Sequence, residues 1–257
     1  QLKREGAKKD YSAKEISQAK IQFENSSSED IQRISDNILK GLPGSEDGYS
    51  LEEFTAMLNT YKGIDPDKLR LNLVQFLSDI IPVAESLDIR MCIHPDDPPG
   101  IKLGGIPRCI FSTFSGYQRA LEIADSPNIG ICLCAGTWLE GGNTTEKNVT
   151  EMAKYFGDQN KLFKIHFRNV DKPLPHFKET FLDDGYMDMY KIIKVLKEVN
   201  FDGIIIPDHN PTMGSLMDRG SESNHYESKY GVQNRTATAF AIGYMKALVE
   251  RAEEEEI

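Results

Sequence analysis

Four short apolar segments of the chain each end on a side chain that can bind a metal ion. The four residues are two imidazoles, a thiol and a carboxylate: His94, His166, Cys134 and Asp208. This mixture of hard and soft ligands suits Zn²⁺, Fe²⁺, Mn²⁺ or Co²⁺ and does not select one of them. The whole chain has only five His and four Cys, so ligand types at all four segment ends favour a metal site over four unrelated buried residues.

The segments that carry these residues are interpreted as parallel strands. They alternate with amphipathic segments at helical spacing, a pattern typical of a parallel α/β sheet. Carboxyl ends of parallel strands lie at one edge of a sheet, where α/β proteins place their active sites, so we expect the four ligands to converge. The predicted strands are Ile89 to His94, Ile129 to Cys134, Leu162 to His166 and Gly203 to Asp208. The predicted helices are 114–125, 146–156 and 187–199, with a last one from about Gln233.

The residues before this alternation predict helices and no chemistry. Ser12 and Ser50 each stand three residues before a Glu, the spacing of a capping box, and Asp65-Pro66 begins a long helix that contains Pro82. We interpret residues 1–257 as a single domain, with a mostly helical segment at 1–88 and parallel βα units at 89–257 that carry the site.

Composition restricts the classes of partner. The chain has 30 Lys and Arg against 40 Asp and Glu, a net charge of −10, which disfavours binding to nucleic acid. Four Cys in 257 residues are too few for a disulfide scaffold and fit a reducing compartment, so we expect a cytoplasmic protein. No segment approaches the roughly 20 apolar residues that span a bilayer, and no membrane partner is expected.

Other residues of chemical interest fit structural roles. Cys132 shares a strand face with Cys134 but lies one layer deeper, which favours packing over binding. His176 and His225 fall in predicted loops and are expected at the surface. The pairs Gly104-Gly105 and Gly141-Gly142 match no phosphate-binding motif, so a nucleotide site is not supported.

Several short motifs, taken in their order along the chain, are more specific. From about residue 15 to 250 they strongly resemble the mannonate dehydratase family. The most specific is His94-Pro95-Asp96-Asp97-Pro98-Pro99. The others are Gly41 to Gly44, Ile80 to Glu85, Cys134 to Thr137, His166 to Asn169, Asp188 to Tyr190 and Pro207 to His209.

The resemblance implies a metal-dependent lyase on a TIM-type (β/α)8 barrel related to the xylose isomerases. Such an enzyme removes water from D-mannonate to give 2-keto-3-deoxy-D-gluconate, in hexuronate breakdown. The family's metal ligands correspond to the same four strand-end residues, and Mn²⁺ or Fe²⁺ is the expected ion. Its catalytic His and Tyr match His209 and Tyr230, and a substrate-contacting stretch matches Arg168 and Asn169. The expected partner is a small sugar acid. The resemblance leaves open whether the protein is a homodimer.

The chemistry explains why these residue types are needed. The proton α to a carboxylate is weakly acidic, so a bound metal ion must stabilise the enediolate that forms when this proton leaves C2. One group takes that proton, and another protonates the departing C3 hydroxyl, work suited to a His and a Tyr. The sequence does not decide which of His209 and Tyr230 has which role.

Departures from the family pattern leave alternatives open. Ile206 stands where the family has Arg, Asn210 replaces Gly, and Lys178 and Leu182 stand where the family often has His. A related metal-dependent sugar or sugar-acid isomerase or epimerase is therefore a second candidate. The chain also supplies about four of the eight strand-helix units of a barrel. We expect only the C-terminal half of a barrel, unable to turn over substrate unaided, and a truncated non-catalytic fragment is the third candidate.

Overall fold

The computed structural model describes residues 7–39, 49–105, 110–211 and 232–255. These residues fall into two compact units. The first contains the described residues up to Asn72 together with residues 101–105, and the second contains residues 73–100 and the described residues from Ile110 onward. The predicted residues Tyr230 and His225 and the motif at 41–44 lie outside the described residues.

The first unit is helical. Its helices are α1 Ala7–Asp10, α2 Ala13–Asn25, α3 Ser28–Leu39, α4 Leu51–Asn59 and the start of α5 Pro66–Ser86, which ends in the second unit. At the start of α2, Ser12 accepts a hydrogen bond from the backbone of Glu15, whose carboxylate accepts one from the Ser12 backbone. Ser50 and Glu53 repeat this arrangement at α4. Both predicted capping boxes are confirmed.

The second unit is built on a parallel sheet. The strands are β1 Met91–Ile93, β2 Ile129–Cys134, β3 Leu162–Phe167, β4 Asn169–Val170, β5 Glu179–Thr180 and β6 Ile204–Pro207. The sheet has the order β1-β2-β3-β6 with every neighbouring pair parallel, and β4 and β5 form a separate antiparallel pair. Cys134 is level with His166, and His166 with Ile206. The predicted α/β class with a parallel sheet is confirmed, and the strands end at one edge.

Helices cover this sheet and form the main core with it. They are α6 Phe114–Ala124, α7 Ala135–Gly141, α8 Val149–Gly157, α9 Met189–Glu198 and α10 Val232–Glu254. Ile131 of β2 and Ile165 of β3 are completely buried and belong to the same apolar core as Trp138 and Phe156. The burial of these large apolar groups fixes the position of the sheet edge that carries the site.

One predicted helix begins later than expected, and another was not predicted. The helix expected from Glu146 begins at Val149, because Asn148 accepts a hydrogen bond from the Glu151 backbone and caps it. Helix α7 was missed, because Gly136 and Gly141 lower its helix propensity.

Barrel closure is not seen in this part of the chain. Among the described residues, β1 and β6 are the outer strands, and each pairs with one neighbour in the sheet. Ile204 on β6 is 62% exposed. No helix in the described ranges is both long enough and apolar enough to cross a membrane.

Candidate metal centre

The carboxyl ends of the four parallel strands bring the predicted metal ligands together. Cys134 ends β2, His166 lies near the end of β3, and Asp208 directly follows β6. Their ligand atoms all lie within 4.8 Å of one another. His94 directly follows β1, and its Nε2 lies 3.2 Å from His166 Nδ1. Four side chains from four adjacent strands thus form one cluster.

Contacts within the cluster keep the carboxylate ionised. The Sγ of Cys134 and the Nδ1 of His166 each lie 3.6 Å from Asp208 Oδ2. Burial raises the pKa of Asp208, but hydrogen bonding from His166 and the nearby positive charges outweigh burial and hold this pKa well below its usual range. Asp208 is therefore negatively charged at neutral pH, as a carboxylate ligand of a metal ion has to be.

The residues present fit a metal ion. The Nδ1 of His166 lies among the other ligand-type atoms, 3.2 Å from His94 Nε2 and 3.6 Å from Asp208 Oδ2, while its buried Nε2 has no hydrogen-bond partner among the described residues. His94 Nδ1 donates to the Pro95 carbonyl at 2.7 Å, and this bond leaves its Nε2 to face the cluster. Ligand atoms around one ion lie at most about 4.6 Å apart, twice a bond of about 2.3 Å, so small adjustments suffice.

A second group of ligand types overlaps the first. His94, Cys132 and His166 also lie within 4.8 Å of one another, with Cys132 one layer deeper in the sheet. Hydrogen bonding with Cys92 and burial raise the pKa of Cys132, whereas the same bond lowers the pKa of Cys92 to about 7. The group with Asp208 is favoured, because it combines a thiol, an imidazole and an ionised carboxylate at the carboxyl edge of the sheet, whereas Cys132 lies one layer deeper.

Arg168 is the centre of a buried polar network beside these ligands. Its side chain is 1% exposed. It contacts the thiol of Cys134 and the carboxyl groups of Asp97, Glu140, Glu179 and Asp208. Burial lowers the pKa of Arg168, but its neighbours Cys134, Asp97 and Glu140 outweigh burial and raise this pKa above its usual value. Of the network, Asp97 lies inside the predicted His-Pro-Asp-Asp motif, but Glu140 had no sequence signal because α7 was not predicted.

The two residues that match the family's substrate-contacting stretch, Arg168 and Asn169, are both buried. Asn169 is completely buried, and its Nδ2 donates to the carbonyls of Leu182 and Met187 at 3.0 and 2.9 Å. Its Oδ1 accepts from the Val170 backbone. Asn169 thus stabilises the loop before α9. The polar side-chain atoms of both Arg168 and Asn169 already have hydrogen-bond partners within the protein.

His209 is held by a carboxylate at the edge of the cluster. Its Nδ1 donates to Glu179 Oε1 at 2.6 Å, and its Nε2 lies 3.7 Å from Asp208 Oδ1. This hydrogen bond raises the pKa of His209, although burial opposes it. His209 is 39% exposed at the side chain, so it can meet a small molecule at this edge. His176 is exposed in the loop between β4 and β5, as predicted.

The buried Glu140 is expected to make the free energy of unfolding depend on pH. Burial raises the pKa of Glu140 from 4.5 to about 8, against the opposing charge of Arg168. The folded protein therefore keeps a proton that the unfolded chain loses, and the free energy of unfolding falls as the pH rises from about 4.5 to about 8. We expect Glu140→Gln to remove this component, which is about 1 kcal/mol per pH unit.

Urea unfolding in EDTA at about pH 5, 6.5 and 8 measures this slope. Glu250→Gln, at an exposed position of α10, is the control and should keep the slope of the wild type. Equal pH slopes in Glu140→Gln and the wild type would show that Glu140 is ionised in the folded protein.

Comparison with known proteins adds independent findings. The sequence profile of the family described as D-mannonate dehydratase (UxuA) matches residues 8–256. A mannonate dehydratase of a Marinomonas species is 39% identical over 197 residues, covering 76% of this chain and 49% of the relative. One of Oceanobacillus iheyensis is 32% identical over 239 residues, covering 91% of this chain and 62% of the relative.

Solved structures are similar as well. The crystal structure of mannonate dehydratase from Streptococcus suis superposes with a TM-score of 0.64 at 29% identity, covering 83% of this chain and 56% of that chain. A xylose isomerase domain protein from Planctomyces limnophilus superposes with a TM-score of 0.51 at 15% identity, covering 75% and 57%, and is similar in fold. The chain thus spans about half to two thirds of the length of these relatives.

Proposed function

This chain belongs to the D-mannonate dehydratase family, and from this premise we propose that the whole protein is a metal-dependent lyase. It removes water from D-mannonate to give 2-keto-3-deoxy-D-gluconate. The observation that carries the proposal is the convergence of Cys134, His166 and Asp208 within 4.8 Å, with His94 beside them. This donor set lies where a substrate can reach it, at the carboxyl edge of a parallel sheet.

The four residues of this cluster would hold the ion, which we propose to be Mn²⁺ or Fe²⁺. Carboxylate and imidazole ligands suit both ions, and the thiolate adds a soft ligand. When bound, the ion supplies positive charge that stabilises the charge developing on the substrate carboxylate as the C2 proton leaves. The low pKa of Asp208 supports this role, because the ligand carries its negative charge at neutral pH.

We propose that His209 and Tyr230 move the protons. The C2 proton passes to one of them, the C3 hydroxyl leaves as water after it accepts a proton from the other, and the resulting enol rearranges to the ketone. For His209 the support is its position: it adjoins a ligand, is partly exposed and has its Nδ1 occupied by Glu179. Its Nε2 is thus the nitrogen left for proton transfer.

Glu179 is the proposed orienting group for His209, and its replacement gives a measurable effect. It accepts from His209 Nδ1 at 2.6 Å and from Arg168 Nη1 at 3.0 Å. We expect Glu179→Gln to lower kcat about 10- to 100-fold, as loss of such a partner typically does, with little change in KM. The control is Lys172→Gln, at an exposed position of the same hairpin. A kcat within about 2-fold of the wild type would contradict this role.

Further features of the whole protein are part of the proposal. We propose that the four-stranded sheet belongs to a (β/α)8 barrel, since a closed barrel leaves no strand edge such as β1 or β6 unpaired. The likeness of fold to a xylose isomerase domain protein supports this. We also propose a cytoplasmic location and a small sugar acid as the partner, with a homodimer as one arrangement. The acidic net charge of −10 supports the absence of nucleic acid as a partner.

The positions at which this chain differs from the family pattern affect which substrate we propose. Leu182 is 4% exposed and belongs to the core, so it presents no polar group to a sugar acid. Asn210 donates to Thr238 Oγ1 at 3.3 Å, and Ile206 is level with the ligand His166. These positions favour an altered substrate contact and keep an isomerase or epimerase as the second candidate.

Product analysis separates these candidates. The whole protein is freed of metal, supplied with Mn²⁺ or Fe²⁺ and incubated with D-mannonate and with hexonates of other configuration. We expect an α-keto acid, detected with semicarbazide, from D-mannonate in the metal-loaded protein and none after chelation. An isomeric product that has lost no water would establish the isomerase or epimerase, and no product from any sugar acid would favour a non-catalytic protein.

A further inference from the structure

We propose that Arg168 is a positioning residue that holds the ligands Cys134 and Asp208 at a fixed separation and, through Glu179, links them to His209. It does not contact the substrate. The inference rests on the proposed function only in taking these residues as the metal and acid–base groups. The new element is that one buried guanidinium fixes the positions of the metal ligands and of the acid–base residue His209.

The contacts to the ligands come from two edges of one planar group. Arg168 Nε donates to Asp208 Oδ2 at 3.2 Å, and Nη2 donates to Cys134 Sγ at 3.6 Å. The guanidinium is rigid and planar, so its donors lie at fixed distances from each other. A carboxylate after β6 and a thiol at the end of β2 are thereby held in register, although these strands are not neighbours in the sheet.

The remaining contacts fix the guanidinium itself. Nη1 contacts Glu140 Oε1 and donates to Glu179 Oε1 at 3.0 Å. Nη2 donates to Asp97 Oδ2 at 2.5 Å and to Thr137 Oγ1 at 3.1 Å. Arg168 has five N–H donors, and each nitrogen that carries them has an acceptor, so none is left for a substrate carboxylate.

The backbone at Gly136 leaves room for the Arg168 side chain because this residue has no Cβ. A Cβ at Gly136 would lie 2.4 Å from Arg168 Cγ, 2.5 Å from Nε and 2.7 Å from Cζ. These distances are far below van der Waals contact, so only glycine fits at the start of α7 with Arg168 in place. The segment from Cys134 to Thr137 therefore supplies a ligand, the space for the guanidinium and one of its acceptors.

The carboxyl groups around Arg168 require a guanidinium at this position. One guanidinium faces the carboxyl groups of Asp97, Glu140, Glu179 and Asp208. Arg168 is 1% exposed, and a buried charge that loses its partners is strongly unfavourable. A lysine keeps the positive charge but is a point donor that cannot span these acceptors, so the ligands would lose their common anchor.

The test is Mn²⁺ binding to the whole protein with Arg168→Lys, measured by electron paramagnetic resonance titration, together with steady-state kinetics on D-mannonate. We expect Kd for Mn²⁺ to rise about 10- to 100-fold and kcat at saturating Mn²⁺ to fall, while KM changes less than about 3-fold. Arg119→Lys, at an exposed position of α6, is the matched control. A substrate-binding Arg168 would instead raise KM at least about 10-fold with an unchanged Kd for Mn²⁺, and that result would overturn the proposal.

A second variant keeps the test decisive if Arg168→Lys does not fold. Thr137→Val conserves volume and charge and removes one acceptor of Nη2. We expect a Kd for Mn²⁺ raised about 2- to 5-fold, and an unchanged Kd would count against the proposal. Because Mn²⁺ binding is read without substrate, a wild type that binds Mn²⁺ but yields no α-keto acid would refute the proposed reaction and leave Arg168 still tested. A wild type that binds no Mn²⁺ would refute the positioning role.

Discussion

Replacement of Asp208 by asparagine is expected to abolish metal binding and turnover together. Asparagine has the same shape and keeps one oxygen, so the change removes the negative charge with little loss of packing. Hydrogen bonding and nearby positive charge, against burial, hold the pKa of this carboxylate well below its usual range, so the proposed ligand carries a full negative charge. Neutralising it also leaves Arg168 with one fewer anionic partner.

The expected magnitude is large. We expect Mn²⁺ affinity to fall more than about 100-fold, beyond the loss typical of a partner that only supports a ligand. Dehydration of D-mannonate should fall about 1000-fold or more, because several kcal/mol of charge stabilisation are lost. Asp202→Asn, an exposed aspartate paired with Arg90, is the control and should behave as the wild type. Metal content near one ion per chain in Asp208→Asn would show that Asp208 is not a ligand.

The second large effect is expected from His209→Asn, with the opposite result for the metal. The asparagine amide can still donate to Glu179, which preserves the local contact, but it cannot accept or deliver a proton. We expect kcat to fall about 100- to 10 000-fold, the range for loss of a general acid or base. Mn²⁺ affinity should change less than about 3-fold, because His209 Nδ1 is occupied by Glu179 and no ligand is removed.

The comparison of these two variants is itself informative. His176→Asn, at an exposed loop position, controls for replacement of a histidine. Loss of Mn²⁺ binding in His209→Asn would make His209 a ligand and would contradict the separation of roles between adjacent residues. Retained turnover in His209→Asn would remove His209 from the reaction and leave the proton transfers to other groups.

The sheet and its ligand edge could be predicted from sequence because strand patterning and ligand types coincide. β2 has the predicted bounds, Ile129 to Cys134. β1 is shorter than predicted and begins at Met91, whose backbone donates to the Asn128 carbonyl. The convergence of the four strand ends followed from one general rule about parallel strands, and the structure places their side chains in one cluster.

The network around Arg168 could not be predicted, for a physical reason. Its partners come from distant parts of the chain: Asp97 is 71 residues away and Asp208 is 40. No local pattern reveals that a residue after a strand turns inward to meet carboxylates from other elements. The motif around Arg168 and Asn169 therefore indicated a functional stretch, but burial and complete hydrogen bonding are properties of the folded chain.

Anomalous diffraction at the manganese edge, from crystals of the whole protein grown with Mn²⁺, directly tests whether the four strand-end residues bind one ion. We expect one peak bonded, within about 2.5 Å, to the side chains of His94, Cys134, His166 and Asp208. A peak bonded to Cys132 in place of Cys134 and Asp208, or no peak at this edge of the sheet with Mn²⁺ at saturating concentration, would contradict this expectation.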